Sequence, residues 1–363
     1  MSIVSKAATL IGVKNLVTDS MAIDMGSANT IIAVHGRDVV LDEPSLVAVN
    51  ELTDEVVAFG QEAYDMRGRE AREVVVVAPL VGGVVADFER TKKMLAEFVQ
   101  KARSGVSQVS REAVMSVISE VTHVEQRALL SAAEDAKIDK VYMMEEGLAA
   151  AFGAGVAPED KRASAVVDIG ASTTNIAIVA KGGIVHSRSE RIGSSDINAA
   201  LITHIRRHRG LIIGEETAEM LKTDFVTATP PEDLAKEINV RGRDVQTGSP
   251  GAQDITVGEL YPIAESIVRK VSELVTDALT ELRPEVAADI YDRGIIVTGG
   301  GALFNGIDQY LRNRTSLPVS IADEPRYATV RGLLKMFDEK ELLRKVARNE
   351  PHLLQNAEIP FEA

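Results

Sequence analysis

Two short stretches of this chain carry the residue types that hold a phosphate chain, and they are nearly the same stretch twice. Ala22-Ile23-Asp24-Met25-Gly26-Ser27-Ala28-Asn29-Thr30-Ile31-Ile32-Ala33-Val34 recurs as Val166-Val167-Asp168-Ile169-Gly170-Ala171-Ser172-Thr173-Thr174-Asn175-Ile176-Ala177-Ile178. Asp, Gly, Thr, Ile and Ala stand at the same offsets in both. A phosphate chain must come close to the backbone so that N–H groups can donate to it. Gly permits that approach, small neighbours keep Cβ bulk away, and Ser or Thr hydroxyls add donors. An Asp just before the turn can hold the hydration shell of a magnesium ion. One such turn is an ordinary hairpin. Packing gives no reason for two copies of one polar turn, so the repeat points to two loops gripping one nucleotide.

Other groupings carry weaker signals. Gly299-Gly300-Gly301 follows the apolar run Ile295-Ile296-Val297 and offers a third flat backbone surface, read either as a helix start or as an adenosine platform. Glu219 and Lys222 stand three apart on one helix face, either as a surface ion pair or as brackets for a base or ribose. His204 and His208 have helical spacing but lie against Arg206, Arg207 and Arg209, a poor setting for a cation.

The elements that must position these residues follow from periodicity. Each repeat reads as strand, tight turn, strand, with a further strand at Val39–Leu41 and at Gly183–His186. Helical patterns are expected over 89–102, 125–136, 148–152, 197–209, 215–223 and 257–282. Strands are expected over 114–118, 141–144, 237–240 and 294–298. Two hairpins, each followed by helix and strand patterns, imply two similar α/β domains. The boundaries are set at 1–19 for a terminal tail, 20–155 and 156–338 for the domains, and 339–363 for a charged tail with no legible chemistry.

Composition narrows the function. The 363 residues carry a net charge of -14, which repels nucleic acid over most of the surface. No Cys is present, so disulfides, thiolate metal sites and Cys nucleophiles are excluded. No apolar run reaches the ~20 residues a spanning helix needs. In Met1–Val17, Ile3, Ala7, Leu10 and Lys14 follow helical steps. That segment is either a loose tail or packed helix, or an apolar anchor lying in a membrane plane. A cleaved signal is not expected, because the small-residue cleavage pattern is missing.

Asp24–Thr30 and Asp168–Thr174 resemble the two phosphate loops of the actin, heat-shock chaperone and sugar-kinase superfamily, and Ile295–Leu303 resembles its adenosine motif. Leu41–Ala48, Glu146–Gly155, Arg206–Gly214, Glu216–Lys222, Arg241–Asp244 with Thr247-Gly248, and Leu317–Val319 are similar to the MreB branch of bacterial actin homologues. The resemblance spans roughly residues 20 to 335 in family order.

It implies an actin-like fold, with two similar α/β domains, each with a five-stranded mixed sheet, plus smaller subdomains, and a nucleotide in the interdomain cleft. It also implies ATP with magnesium, homopolymeric protofilaments, and attachment to the inner face of the cytoplasmic membrane with membrane scaffold proteins as possible partners. Its expected role is a scaffold for cell shape and cell-wall synthesis. By position, Ser27, Ala28 and Asn29 would meet the phosphates from one side and Gly170, Ala171 and Ser172 from the other. Asp24 and Asp168 would face the magnesium through water. Glu216, Thr217, Ala218, Glu219 and Lys222, with Gly299, Gly300, Gly301 and Ala302, would serve the nucleoside. Glu146 stands where the family orients the attacking water.

Four departures surround that chemistry. Ala171 and Ser172 replace Gly, Asn175 replaces an acid, Gly147 replaces Pro, and Val117-Ile118-Ser119-Glu120 replaces Val-Pro-Ser-Gly. A slowly hydrolysing paralogue that scaffolds another structure, such as an organelle, is therefore an alternative. A small-molecule kinase would need a catalytic Asp, for which 76–83 and 114–125 show no signature. A chaperone would need a peptide-binding domain beyond about Lys335.

Overall fold

The computed structural model describes residues 19–103, 111–119, 121–348 and 352–353. The chain divides into two units. One comprises everything up to Gly153 together with everything from Thr329 onward, and the other is Ala154–Ala328. The expected tail or anchor at 1–19 lies outside the described residues except for Asp19, which already belongs to a strand.

In the first unit β1 (Asp19–Met25) and β2 (Asn29–Val34) form the hairpin, and β3 (Asp38–Pro44) pairs with β2. A small separate sheet follows, made of β4 (Val47–Asn50), β5 (Val56–Phe59) and β6 (Val74–Val77), with α1 (Gln61–Met66) between the last two. Two-residue strands β7 (Leu80–Val81) and β8 (Val84–Val85) lead into α2 (Phe88–Ala102). This helix starts where the Asp87 side chain accepts from the Arg90 N–H, and Met94, Leu95, Phe98 and Val99 give it a fully buried stripe. After β9 (Arg111–Val117), Thr122 and Glu125 cap each other's backbone at the start of α3 (His123–Asp135). β10 (Lys140–Glu145) then runs directly into α4 (Glu146–Gly153).

The second unit repeats the plan. β11 (Ser164–Ile169), β12 (Thr174–Ala180) and β13 (Gly183–Glu190) form its meander, followed by α5 (Ser194–Arg209), β14 (Leu211–Ile212) and α6 (Glu215–Asp224). A hairpin of β15 (Glu237–Asp244) and β16 (Pro250–Thr256) feeds the 24-residue α7 (Val257–Thr280). Then come α8 (Pro284–Arg293), β17 (Ile295–Thr298), α9 (Ile307–Thr315) and β18 (Val319–Ile321). The chain returns to the first unit through α10 (Ala328–Lys335), α11 (Lys340–Val346) and β19 (His352–Leu353).

The two main sheets have one topology. The orders β3-β2-β1-β9-β10 and β13-β12-β11-β17-β18 each hold three antiparallel strands and two parallel additions. Parallel neighbours need long crossovers, which the helices supply. Each unit has its own apolar core, with Ile23, Met94, Phe98 and Met143 in the first and Val167, Leu201, Leu260 and Val297 in the second.

Three expectations change. The first sheet has a sixth strand, because β19 pairs antiparallel with Lys140 and Val141 of β10. Residues 329–338 belong to the first unit, where Thr329, Val330, Leu333, Met336 and Phe337 are buried. Within the charged stretch after 339, residues 340–346 form a helix that buries Leu343. Charge patterning hid that helix because a single apolar side chain anchors it.

Candidate functional site

In the first unit the loop Gly26-Ser27-Ala28 joins β1 to β2. A Cβ on Gly26 would lie 2.7 Å from the Asn29 carbonyl oxygen, so the turn admits only glycine without shifting. Ser45 holds it from outside. Its hydroxyl donates to the Gly26 carbonyl at 2.7 Å and lies 2.9 Å from Thr30 Oγ1, while its N–H donates to the Ala28 carbonyl. Ser45 and Thr30 are both fully buried. Ser27 Oγ accepts from the Gly83 N–H at 3.1 Å, which leaves its own proton for another acceptor. Asn29 donates to Asp42 at 2.9 Å. Asp24, the penultimate residue of β1, accepts from Ser116 Oγ of β9 at 2.6 Å.

The second unit builds the equivalent with different parts. Asp168 is buried and accepts from Thr298 Oγ1 of β17 at 2.9 Å. The Gly170 turn closes through its N–H to the Thr173 carbonyl. The loop is sewn to the start of α5, where the Ser194 and Ser195 N–H groups donate to the carbonyls of Gly170 and Ala171. Gly193 makes this possible, since a Cβ there would stand 2.4 Å from the Ala171 oxygen. Thr174 Oγ1 donates to the Ile192 carbonyl, fastening the same corner.

The glycine turn sits on this loop. Gly299 has φ +81°, a conformation that L side chains rarely adopt, and a Cβ there would meet Ile169 O at 2.4 Å and Asp168 Oδ1 at 2.8 Å. Gly301 packs on the Ile169 side chain, whereas Gly300 faces open space. Residues 300–303 form one 3₁₀ turn rather than an α-helix start. Lys222 and Glu219 pair at 2.7 Å, the lysine side chain buried and the glutamate about half exposed. Asn198 of α5 donates to the same Glu219 oxygen at 2.7 Å. Through α5 the second loop is thus linked to Glu219 and Lys222.

Some expected residues serve packing. Ala218 and Ala302 have no exposed surface and belong to the second core. Glu216 is exposed and Thr217 partly so. Asn175 pairs across the hairpin with Asp168 and accepts from Ser189 Oγ at 2.6 Å. Gly147 is buried within α4. The His204–His208 pair stacks at 4.3 Å, and His204 bonds to Glu259, which also pairs with Arg209. Among the described residues no group of three or more His, Cys, Asp or Glu could hold a metal ion directly.

Ser116, Thr298, Ser45, Gly193 and Asn198 were not singled out from the sequence. Only Thr298 carried a signal, as a hydroxyl at a strand end directly before three glycines. The others act through strand register or helix placement, which spacing does not encode.

The residues fit a polyphosphate. Ser172 Oγ is buried with no hydrogen-bond partner, an arrangement that costs ~1–3 kcal/mol unless an acceptor is supplied. The two aspartates, each already steadied by a hydroxyl, suit water-mediated contact with a hard cation.

A family model described as MreB/Mbl protein matches residues 18–345. The chain belongs to the MreB/Mbl family. It is 36% identical to the cell shape-determining protein MreB of Escherichia coli K12, over 90% of this chain and 96% of that one. Its fold matches the crystal structure of MreB5 of Spiroplasma citri bound to ADP, with TM-score 0.82 and 31% identity, over 90% of this chain and 98% of that one. The same protein bound to AMPPNP gives TM-score 0.81. MamK in its double helical filament, at 20% identity and TM-score 0.73 over 88% and 98% of the two chains, shares the actin-like fold.

Proposed function

We propose that this chain is an ATP-dependent, filament-forming, actin-like cytoskeletal protein that scaffolds cell shape and cell-wall synthesis at the inner face of the cell membrane. The observation that carries the nucleotide part is the repeated hairpin. In both units an Asp near the strand end, held by a hydroxyl from the neighbouring parallel strand, precedes a tight Gly turn, one that leaves no room for a Cβ at Gly26 and little at Gly170. Family membership supports the cytoskeletal part, and the ADP and AMPPNP complexes of MreB5 support the ligand class.

On this reading Ser27, Ala28, Asn29, Gly170, Ala171 and Ser172 contact the phosphates, and Gly300, with its open face, serves the nucleoside together with Glu219 and Lys222. Asp24 and Asp168 would hold the water shell of a magnesium ion, which when bound would neutralise charge on the phosphates. Glu146, the first residue of α4, accepts a hydrogen bond from the attacking water and orients it. Slow turnover is the expected regime. Ala171 and Ser172 add Cβ atoms to the loop, and Asn175 places a neutral amide where an acid would stand opposite Asp168.

Calorimetry with Mg-ATP tests the site: Asp24→Ala and Asp168→Ala each weaken binding or its magnesium dependence. Unchanged affinity in both would falsify the assignment. Electron microscopy with and without ATP tests assembly, filaments being expected with ATP. Among the described residues no helix is long and apolar enough to cross a membrane. On this reading attachment rests on Ile3, Val4, Leu10, Ile11, Leu16 and Val17, helped by Lys6 and Lys14, which lie outside the described residues. Weak insertion by each copy adds up along a filament. Filaments lacking residues 1–17 should no longer pellet with liposomes, and equal pelleting rejects this anchor.

A further inference from the structure

The helix that begins at Glu146 is gripped by the part of the chain that returns from the second unit. At its start, Glu145 turns its carboxylate inward and is nearly buried. Arg348 donates one guanidinium nitrogen to that carboxylate and another to the Ser119 carbonyl, and its N–H reaches the Met143 carbonyl at 2.8 Å. Ser119 Oγ donates to the other Glu145 oxygen. One arginine thus ties together the C-terminal ends of β9 and β10, and the same β9 offers Ser116 to Asp24.

At the far end of α4, Lys335 Nζ donates to the Phe152 carbonyl at 2.7 Å, closing a carbonyl that has no partner within the helix. Between the two ends, α10 lies so close that a Cβ on Gly332 would stand 1.8 Å from the Ala149 carbonyl oxygen and 2.9 Å from the Gly153 nitrogen. Residues 147–152 of α4 are all buried. A helix held at its start, middle and end has no freedom to slide or tilt, so its first residue is placed by its clamp.

We infer that the return segment 329–348 is a clamp on α4 that sets where Glu146 stands, with Arg348, Lys335 and Gly332 as positioning residues. The inference rests on the proposed role of Glu146 in orienting water. The clamp acts through its contacts with α4 and Glu145. It governs the rate because orientation falls off steeply with position, a misplacement of about 1 Å costing up to about 100-fold. Arg is the residue the junction needs, since its fork reaches Glu145 and Ser119 together, whereas an ammonium is a point charge.

Single-turnover phosphate release and Mg-ATP affinity are measured for the full-length chain and for Arg348→Ala, Arg348→Lys, Lys335→Met and Glu146→Ala. Arg348→Ala is expected to slow the turnover roughly tenfold with affinity within about twofold, and Arg348→Lys to recover part of the rate. Lys335→Met, which leaves the Glu145 pair intact, should slow it about threefold. Its separate site keeps the test valid if Arg348→Ala fails to fold. A merely structural role would lower thermal stability without splitting rate from affinity. Slow turnover in Glu146→Ala with unchanged rates in the folded clamp variants overturns the clamp alone. An unchanged rate in Glu146→Ala overturns the role of Glu146 and the clamp with it.

Discussion

The loop at Gly26 and the loop at Gly170 occupy equivalent places in equivalent sheets, yet they are fastened differently. The first is held by one serine, Ser45, whose hydroxyl bonds to Gly26 and Thr30 and whose N–H bonds to the Ala28 carbonyl. The second is held by backbone, with two N–H groups of α5 bonded to Gly170 and Ala171. The Asp–hydroxyl pair is common to both, because Asp24 lies beside Ser116 and Asp168 beside Thr298 across the same parallel strand step. The lesson is that the Asp and the Gly turn repeat while the supports do not. On the proposed reading, a phosphate would constrain the Asp and the turn and leave the scaffold behind them free to differ.

The comparison breaks most visibly at Gly193. Gly193→Ala drives a Cβ into the Ala171 carbonyl, and relief requires opening the α5 latch. It should destabilise the protein by about 3 kcal/mol, the upper range for overpacking, and lower ATP affinity more than tenfold. A melting curve and calorimetry read both effects. Ser45→Ala is the matching change in the first unit. It leaves the Gly26 carbonyl and Thr30 hydroxyl short of a partner, for a loss of about 1–2 kcal/mol in chemical denaturation. If Ser45→Ala costs more than Gly193→Ala, the two fastenings have been ranked wrongly.

Ser116→Ala and Thr298→Val sharpen what is shared. Each removes one hydroxyl from a strand-end carboxylate, and each should weaken Mg-ATP binding by a similar factor, about fivefold, for a bond worth roughly 1 kcal/mol. Unequal losses would mean that the two aspartates do different work.

The smallest effect concerns pH. Arg209, with His204 adding a second hydrogen bond against the opposing effect of burial, holds Glu259 below its ordinary value of 4.5. A carboxylate lowered in the folded state stabilises above its unfolded value and loses that contribution as pH falls through the lower folded value. Glu259 anchors the C-terminal end of α5, whose first residues latch the second loop. As pH falls below the ordinary carboxylate value of 4.5, hydrogen exchange at Ser194 and Ser195 should quicken while Ser45 stays protected. Glu259→Gln should remove the pH dependence of that difference.

Much of this was legible in the sequence because hairpins and amphipathic helices are local. The repeat announced both Asp-bearing turns, and period-3.6 burial marked α2 and α5. The small sheet of β4, β5 and β6 was not legible, since its short strands have no distinct alternation and β6 is four valines. The return of 329–348 was hidden for another reason. Its identity lies in long-range contacts such as Lys335 with Phe152 and Arg331 with Asp38, and no local pattern encodes a partner so distant in sequence. Within the site, glycine and aspartate positions were readable by type. Ser45, Gly193 and Asn198 were not, because they matter only for what the fold sets beside them.

The clamp also sets an order of events at the ribosome. The second unit is one continuous stretch and can close as soon as Ala328 has emerged. The first unit begins earlier but holds a buried acid, Glu145, whose guanidinium partner is not made until residue 348. At roughly 5–20 residues per second, that interval lasts roughly 10–40 seconds after Gly153 is synthesised. Through that time β10 carries an unneutralised carboxylate at its end, and α4 lacks the neighbour that covers it. The half of the molecule translated first is thus completed last.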